Sequence, residues 1–165
     1  MLALTEPRSL CHHESFWVAE IDGGPAAALC TFDTRAGGWA TVASAMSNVE
    51  RELVWTEAEL AASRERVSPV WACFLPEIGA DWSIENVGTL PEYRGRGLAS
   101  VLIDRALKEG TERGCKLAQI TTFIGNDTAQ SVYKGAGFRF SDEKRCGEIT
   151  SLLGAAGFVR FISEL

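Results

Sequence analysis

Short stretches of alternating apolar and polar residues run along the chain, separated by glycine, proline or helical patterns. Two apolar runs, residues 16–21 and 26–32, flank the Asp-Gly-Gly-Pro sequence of residues 22–25. An Asp-Gly pair between two apolar runs is typical of a β-hairpin with a tight turn. The pattern therefore predicts a hairpin over residues 16–32.

A helical pattern, residues 41–67, follows the hairpin. Apolar residues recur at spacings of four, three and four at Val42, Met46, Val49 and Leu53. This spacing predicts a helix over about residues 41–54. A capping-box pattern at Thr56 and Glu59 predicts a second helix from about Glu57 to Arg66, which Pro69 ends. The apolar residues of 69–75 then predict a short strand.

Strand and helix patterns alternate through the second half of the chain. The predicted strands cover 81–90, 116–124, 138–140 and 157–162, and the predicted helices cover 97–113 and 126–134, with a polar loop at 142–147. Helices that connect strands in this way imply crossovers and a partly parallel sheet. The predicted fold class is α/β (α+β), a mixed twisted sheet flanked by helices, with a helical insertion after the first hairpin.

Composition narrows the classes of partner and compartment. The chain has 165 residues and a net charge of −6, which fits one domain and gives no support for a nucleic-acid partner. No apolar run is long enough to span a membrane, and charged residues interrupt the first ten positions, so neither a membrane nor a secretory segment is expected. The five cysteines are odd in number and contain no Cys-x-x-Cys pair, which predicts free thiols, no metal site and a cytoplasmic protein.

A glycine-rich turn, residues 94–99, joins a predicted strand to a predicted helix. Residues without Cβ let a ligand approach the backbone, and amides at a helix N-terminus bind anions. The turn therefore predicts a pyrophosphate site. A P-loop would need Lys-Ser/Thr after Gly97, where the chain has Leu98-Ala99. A dinucleotide fingerprint would need Gly or Ala at position 100, where the chain has Ser100. It would also need an acidic residue in the next predicted strand, and residues 116–124 contain none.

Two segments carry a family resemblance. Residues 94–99, Arg-Gly-Arg-Gly-Leu-Ala, resemble the acetyl-CoA motif Gln/Arg-x-x-Gly-x-Gly/Ala of the GNAT superfamily of N-acetyltransferases. Residues 126–138 resemble that family's Asn-x-x-Ala-x-x-x-Tyr-x-x-x-Gly-Phe segment. The resemblance covers residues 81 to about 145 closely and the hairpin loosely. It implies a single GNAT-like domain over 1–165, with an acetyl-CoA-binding half at 81–145 and acetyl-CoA as co-substrate without a metal.

The resemblance also implies roles for individual residues. The turn would hold the pyrophosphate of CoA through the backbone of Arg94, Gly95, Arg96, Gly97, Leu98 and Ala99. The amides of pantetheine would pair with the backbone of Val87 and Thr89, and Gly88 between them is also expected to contact the cofactor. Asn126, Gln130 and Tyr133 would lie on the helix face beside it. Tyr133 is the candidate general acid near the CoA sulfur. Glu85 is the candidate general base, because strict alternation would put it on the face of Val87 and Thr89, and Asp81 is the fallback.

The implied function is transfer of an acetyl group from acetyl-CoA to a primary amine of a small molecule or peptide, by direct attack in a ternary complex. The alternatives are a non-catalytic acyl-CoA-binding module and an acyltransferase for a longer acyl-CoA. Family members usually have a strand and two helices before the hairpin, whereas about fifteen residues precede Phe16 here. Three explanations stay open: truncation, replacement of that wall by the helices at 41–67, or a homodimer that completes the acceptor side.

Overall fold

Six strands form one mixed sheet in the computed structural model, which describes residues 11–165 apart from the side chains of 38–40. Their bounds are Phe16–Ile21 (β1), Gly24–Asp33 (β2), Trp82–Thr89 (β3), Leu117–Phe123 (β4), Arg139–Arg145 (β5) and Gly157–Glu164 (β6). The strand order is β1-β2-β3-β4-β6-β5. Within the described sheet, β3 and β4 are parallel and the other neighbours are antiparallel. The expected mixed, partly parallel sheet is confirmed.

Within residues 11–165, five α-helices accompany the sheet: Gly38–Glu52 (α1), Glu57–Cys73 (α2), Leu98–Glu112 (α3), Asp127–Gly135 (α4) and Thr150–Leu153 (α5). The main core lies between the sheet and α3 with α4, on a side that we call the core face. Trp82 and Ile84 of β3 point to the core face, where they pack with Ile103 of α3. Ser83 and Glu85 point to the opposite side, which we call the far face. No helix in the described part of the chain combines the length and hydropathy that crossing a membrane requires.

Local sequence signals set several of these elements. Asp22 and Gly23 adopt φ values of 53° and 78°, as a tight hairpin turn between β1 and β2 requires. The capping box is present at the start of α2. Thr56 Oγ1 accepts from the Glu59 N–H (3.3 Å), and Glu59 Oε2 accepts from the Thr56 N–H (2.8 Å). The hairpin and the start of the second helix are therefore confirmed.

The prediction that Pro69 ends α2, and that 69–75 is a strand, is wrong. The helix continues through Pro69 to Cys73. A proline inside a helix removes one hydrogen bond and costs roughly 3 kcal/mol. Contacts with the sheet hold this last turn in place, because Lys144 Nζ donates to the carbonyl oxygen of Ala72 (2.7 Å).

The prediction of five free thiols is also wrong. Cys73, at the end of α2, is disulfide-bonded to Cys146, which follows β5, and the two Cα atoms are 5.8 Å apart. Cys11, Cys30 and Cys115 are not disulfide-bonded. The sequence separation of 73 residues gives no local sign of the pairing, which depends on how α2 meets the sheet. The cytoplasmic compartment stays a prediction, and the argument for it from free thiols does not hold for Cys73 and Cys146.

The polar segment after Phe140 is a strand, not the predicted loop. β5 extends to Arg145 and pairs with β6, so it forms one edge of the sheet. Charged side chains are common on edge strands, where they oppose pairing with another chain. Polar composition alone therefore misled the prediction over residues 142–145.

Candidate active site

Strands β3 and β4 separate part-way along their length. They pair only at Trp82–Ala118, Ser83–Gln119 and Ile84–Ile120. Beyond these pairs β3 stays with β2 and β4 stays with β6, so a gap opens between residues 85–89 and 121–123. The gap leaves one backbone edge of each strand without a partner strand.

The backbone of Val87 and Thr89 faces this gap. The N–H of Leu90 donates to the carbonyl oxygen of Ala26 on β2 (2.9 Å). Because backbone groups alternate sides along a strand, those of Thr89 and Val87 point away from β2. Arg94 Nε donates to the Thr89 carbonyl oxygen (3.3 Å), and Gly88, between the two gap-facing residues, is exposed.

A bulge at Asn86 changes the direction of the side chains in β3. Asn86 has φ of 55°, and two residues, Asn86 and Val87, lie opposite Leu29 of β2. Glu85 therefore points to the far face, whereas Val87 packs against the core. The predicted strict alternation, with Glu85 on the face of Val87 and Thr89, is wrong. Asparagine tolerates the left-handed conformation better than most residues, so no glycine marked the bulge.

The glycine turn leads directly into α3. Gly95 and Gly97 have φ of 76° and 73°, and a Cβ added at either would meet no atom within 4 Å. Gly97 caps α3 without a side-chain hydrogen bond, and the first turn carries no acidic residue. The backbone N–H groups of the first turn, from Leu98 onward, thus lack helical acceptors. Arg96 lies over the Tyr93 ring, 5.2 Å from its centroid, and adds positive charge beside the turn.

On α4, Tyr133 and its neighbours converge on Thr122 at the end of β4. Asn126 is the N-cap of the helix, and its Nδ2 donates to Thr122 Oγ1 (3.1 Å). The Tyr133 ring is buried edge-to-face against Phe161. Burial and the charge of Glu85 raise the pKa of Tyr133 to about 12, although the Thr122 side chain beside its hydroxyl acts to lower it. Gln130, one turn earlier, is half-buried.

The pKa of Glu85 is suited to proton exchange near neutral pH. Burial raises its pKa to about 7, although hydrogen bonding from Ser83 and the charge of Arg160 both oppose the rise. The Ser83 hydroxyl donates to Glu85 Oε1 (2.9 Å). A carboxylate with this pKa is divided between its two protonation states near neutral pH.

Sequence reasoning missed a polar network on the far face beside Glu85. Arg160, only 3% exposed, donates two hydrogen bonds to Asp142, at 2.9 and 2.7 Å. Arg160 also donates to Gln119 (3.3 Å), and Gln119 donates to Ser83 (3.3 Å). The single available sign was an arginine inside the otherwise apolar stretch that forms β6.

Asp81, the fallback candidate for the general base, is hydrogen-bonded to the backbone at the start of β4. Its carboxylate accepts from the backbone N–H groups of Lys116 (3.0 Å) and Leu117 (2.9 Å) at the start of β4. Burial alone would raise the pKa of Asp81, but these hydrogen bonds and the charge of Arg35 lower it. Asp81 therefore ties the two strands together at the end opposite the gap.

A comparison with known families decides what this arrangement represents. The model of the Acetyltransferase (GNAT) family matches residues 3–138, which is most of the chain. The chain belongs to the GNAT family of acetyltransferases. The match extends beyond the two motifs and includes the hairpin and the helical insertion.

Solved structures share the GNAT fold with this chain. An N-acetyltransferase from Staphylococcus aureus Mu50 superposes with a TM-score of 0.66 at 18% identity, covering 98% of this chain and 76% of its own. A Bacillus subtilis acetyltransferase in complex with CoA gives 0.57 at 14% identity, with coverages of 93% and 79%. An agmatine N-acetyltransferase gives 0.55 at 15% identity, with coverages of 92% and 74%.

The GNAT site has features that fit acetyl-CoA, the co-substrate expected from the sequence. The glycine turn has open space beside its backbone and unpaired N–H groups at the start of α3 for a pyrophosphate. The gap beside β3 offers a backbone edge to which the amides of pantetheine can bond. Within residues 11–165, no group of three or more histidine, cysteine, aspartate or glutamate side chains could hold a metal ion.

Proposed function

We propose that this GNAT protein transfers the acetyl group of acetyl-CoA to a primary amine of a small molecule or peptide, by direct attack in a ternary complex. The observation that carries the proposal is the gap between β3 and β4, which leaves the backbone edge of Val87 and Thr89 without a partner strand, close to Glu85 and Tyr133. One group is a carboxylate near its midpoint at neutral pH, and the other is a phenol that stays protonated. This pairing suits a reaction that takes a proton from an amine and supplies one to a thiolate.

In this proposal the glycine turn and the gap hold the donor. The backbone N–H groups from Arg94 to Ala99 bind the pyrophosphate, with the dipole of α3 contributing favourable charge. Pantetheine lies along Val87–Thr89 as an added strand, and Asn126 and Gln130 lie beside it. The thioester then points toward Tyr133.

Glu85 is the general base and Tyr133 the general acid. Glu85 takes a proton from the acceptor ammonium, and the neutral amine attacks the thioester carbonyl carbon. The tetrahedral intermediate collapses as its C–S bond breaks, and Tyr133 gives its proton to the leaving sulfur. The nitrogen of the intermediate, which carries one proton more than the amide product, returns a proton to the Tyr133 oxygen. Glu85 then releases to solvent the proton that it took from the ammonium. Because Thr122 accepts from Asn126, its hydroxyl hydrogen can go to Tyr133, which leaves the Tyr133 hydrogen for sulfur.

The two roles support each other electrostatically. The negative charge of Glu85 raises the pKa of Tyr133. Once Glu85 has taken a proton from the amine, that repulsion disappears and the pKa of Tyr133 falls. Tyr133 thus becomes a stronger acid at the stage when the thiolate needs a proton.

We propose that the helical insertion supplies the acceptor wall. The end of α2 is bonded to the sheet by the Cys73–Cys146 disulfide, on the side where Phe74 meets Phe158 (ring centroids 5.3 Å apart). Phe158 in turn contacts Phe123 (5.2 Å), which is 36% exposed on the far face that Glu85 also shares. These rings form an apolar surface beside the base that an acceptor can contact.

The decisive experiment incubates the purified protein with acetyl-CoA and panels of small amines and peptides, and detects acetylated product by mass spectrometry. The proposal expects product that depends on Glu85 and on a free amine. Binding of CoA without product from any amine would favour the non-catalytic module. Faster turnover with longer acyl-CoA donors would favour the longer-chain alternative.

Two variants separate the halves of the proposed site. Glu85→Gln should keep acetyl-CoA binding, measured by calorimetry, and lose ~10²-fold or more of turnover. Phe123→Ala should raise KM for the amine while leaving KM for acetyl-CoA unchanged. A rise in KM for acetyl-CoA alone would remove Phe123 from the acceptor side.

A further inference from the structure

A chain of hydrogen bonds crosses three adjacent strands on the far face and ends at Glu85. It starts at Arg160 on β6, passes through Gln119 on β4 and reaches Ser83 on β3, with donor–acceptor distances of 3.3, 3.3 and 2.9 Å along its three links. Ser83 and Gln119 are paired neighbours in the parallel ladder. Asp142 on β5 fixes the other side of the Arg160 guanidinium.

Arg160 determines the direction of every donor in this chain. A guanidinium has no acceptor atom, so the Gln119 amide must turn its oxygen toward Arg160. Its NH₂ group then faces Ser83 and donates to the Ser83 hydroxyl oxygen, where it occupies one lone pair. The Ser83 hydroxyl hydrogen is left to bond Glu85. Each donor in the chain therefore points along it in the direction of the Glu85 carboxylate.

The burial of this network makes the arrangement rigid. Ser83 is fully buried and Arg160 is 3% exposed, so water does not readily replace the hydrogen-bond partners of either side chain. A buried guanidinium needs a carboxylate partner, and Asp142 provides it in bidentate form. Hydrogen bonds that follow one another in a low-dielectric interior also strengthen each other.

We propose that three residues position the candidate base: Arg160, Gln119 and Ser83. Their hydrogen bonds favour the deprotonated carboxylate of Glu85 and hold it in place for the incoming amine. This inference rests on the proposed role of Glu85 as general base. The three residues act only through Glu85, and none of them touches the substrate.

Other groups that face Glu85 will not obscure its titration. Cys30 lies opposite on β2, and burial raises its pKa to about 12. Tyr133 on α4 has a pKa raised to about 12. The acidic limb of a rate profile between about pH 5 and 9 therefore reports on Glu85.

The test compares Ser83→Ala and Gln119→Glu with the wild type through the pH dependence of kcat/KM. A lost hydrogen bond to a charged group corresponds to about one pKa unit, so Ser83→Ala should move the acidic limb up by about one pH unit. Its rate should fall about tenfold well below the wild-type midpoint and stay near wild type at high pH. Gln119→Glu should shift the limb further, because the new carboxylate accepts from both Arg160 and Ser83 and draws the hydroxyl hydrogen away from Glu85.

Gln119→Met tests the direction of the chain. It keeps the length of the side chain but leaves the Ser83 hydroxyl free to bond Glu85, so its shift should be smaller than that of Gln119→Glu. Ser163→Ala is the matched control, since the Ser163 hydroxyl donates to a backbone carbonyl of β6, and its profile should be unchanged. If the acidic limbs of the Ser83→Ala and Gln119→Glu profiles both coincide with that of the wild type, the proposal is overturned.

An infrared titration of the Glu85 carboxyl, identified by subtracting the Glu85→Gln spectrum, gives the same quantity without turnover. A shifted carboxyl titration in an inactive protein would support the positioning chain while the proposed function fails. An unshifted one in an active enzyme would reject the chain and leave the proposed function intact. Thermal unfolding of each variant identifies any that has lost its fold, in which case the remaining variant decides.

Discussion

Replacing the candidate base should make the protein more stable at alkaline pH. Glu85 is ionised at high pH in a site that disfavours its charge, since burial raises its pKa from 4.5 to about 7. Glu85→Gln keeps the shape of the side chain and an oxygen that can accept from Ser83, and it removes the charge. The variant therefore isolates the energetic cost of holding a carboxylate at this position.

The size of the effect follows from the pKa difference. About 2.5 pKa units at 1.36 kcal/mol each correspond to about 3 kcal/mol. The folded pKa is higher than the unfolded one, so the folded state binds more protons between about pH 4.5 and 7, and stability falls as pH rises through that window. Above about pH 7 both states are ionised and the cost is complete.

Urea unfolding of wild type and Glu85→Gln at about pH 8.5 and pH 4.5 measures this cost. The variant should unfold with a free energy about 3 kcal/mol higher at the alkaline pH, and the gain should be much smaller at the acidic one. Glu112→Gln, which changes an exposed glutamate paired with Lys108, should show little change at either pH. A gain that is equal at both pH values, or a loss at the alkaline one, would refute the electrostatic reasoning.

Three further predictions concern the phenol, the turn and the disulfide. Tyr133→Phe should lower kcat by ~10²-fold with little change in the calorimetric Kd for acetyl-CoA, and an unchanged kcat would remove Tyr133 from the acid role. Gly97→Val should weaken acetyl-CoA binding about tenfold or more, because φ of 73° strains a branched residue, whereas Gly154→Val, at φ of 67° outside the site, should not. Reduction of Cys73–Cys146 should lower the free energy of unfolding by about 4 kcal/mol from chain entropy alone, read from urea midpoints with and without reductant, and equal midpoints would contradict it.

The parts of the site that could be predicted from the sequence are those that local backbone chemistry determines. Gly95, Gly97 and Gly114 all adopt positive φ, and glycine is the residue that takes this conformation most readily. Their positions along the chain therefore indicate both the turn and the end of α3. The hairpin and the capping box depend in the same way on residues close together in the chain. Each of these signals acts over only a few residues, which is why a sequence pattern can report it.

The remaining features depend on contacts between distant segments. α2 continues through Pro69 because two contacts hold its last turn, from Lys144 to Ala72 and from Cys146 to Cys73. The partners are 72 and 73 residues apart in the chain. The bulge at Asn86 has no glycine to mark it, so alternation assigned Glu85 to the wrong face. The Arg160 network joins four strands, β3, β4, β6 and β5, which only the strand order brings together.

The disulfide closes residues 73–146 into a covalent ring that contains β3, α3, β4, α4 and β5. The glycine turn, the candidate base and the candidate acid all lie inside this ring. Force applied to the two chain ends is therefore carried past the donor half through a single sulfur–sulfur bond. The segments outside the ring, from the hairpin to α2 and from α5 to β6, can be extended without lengthening the ring.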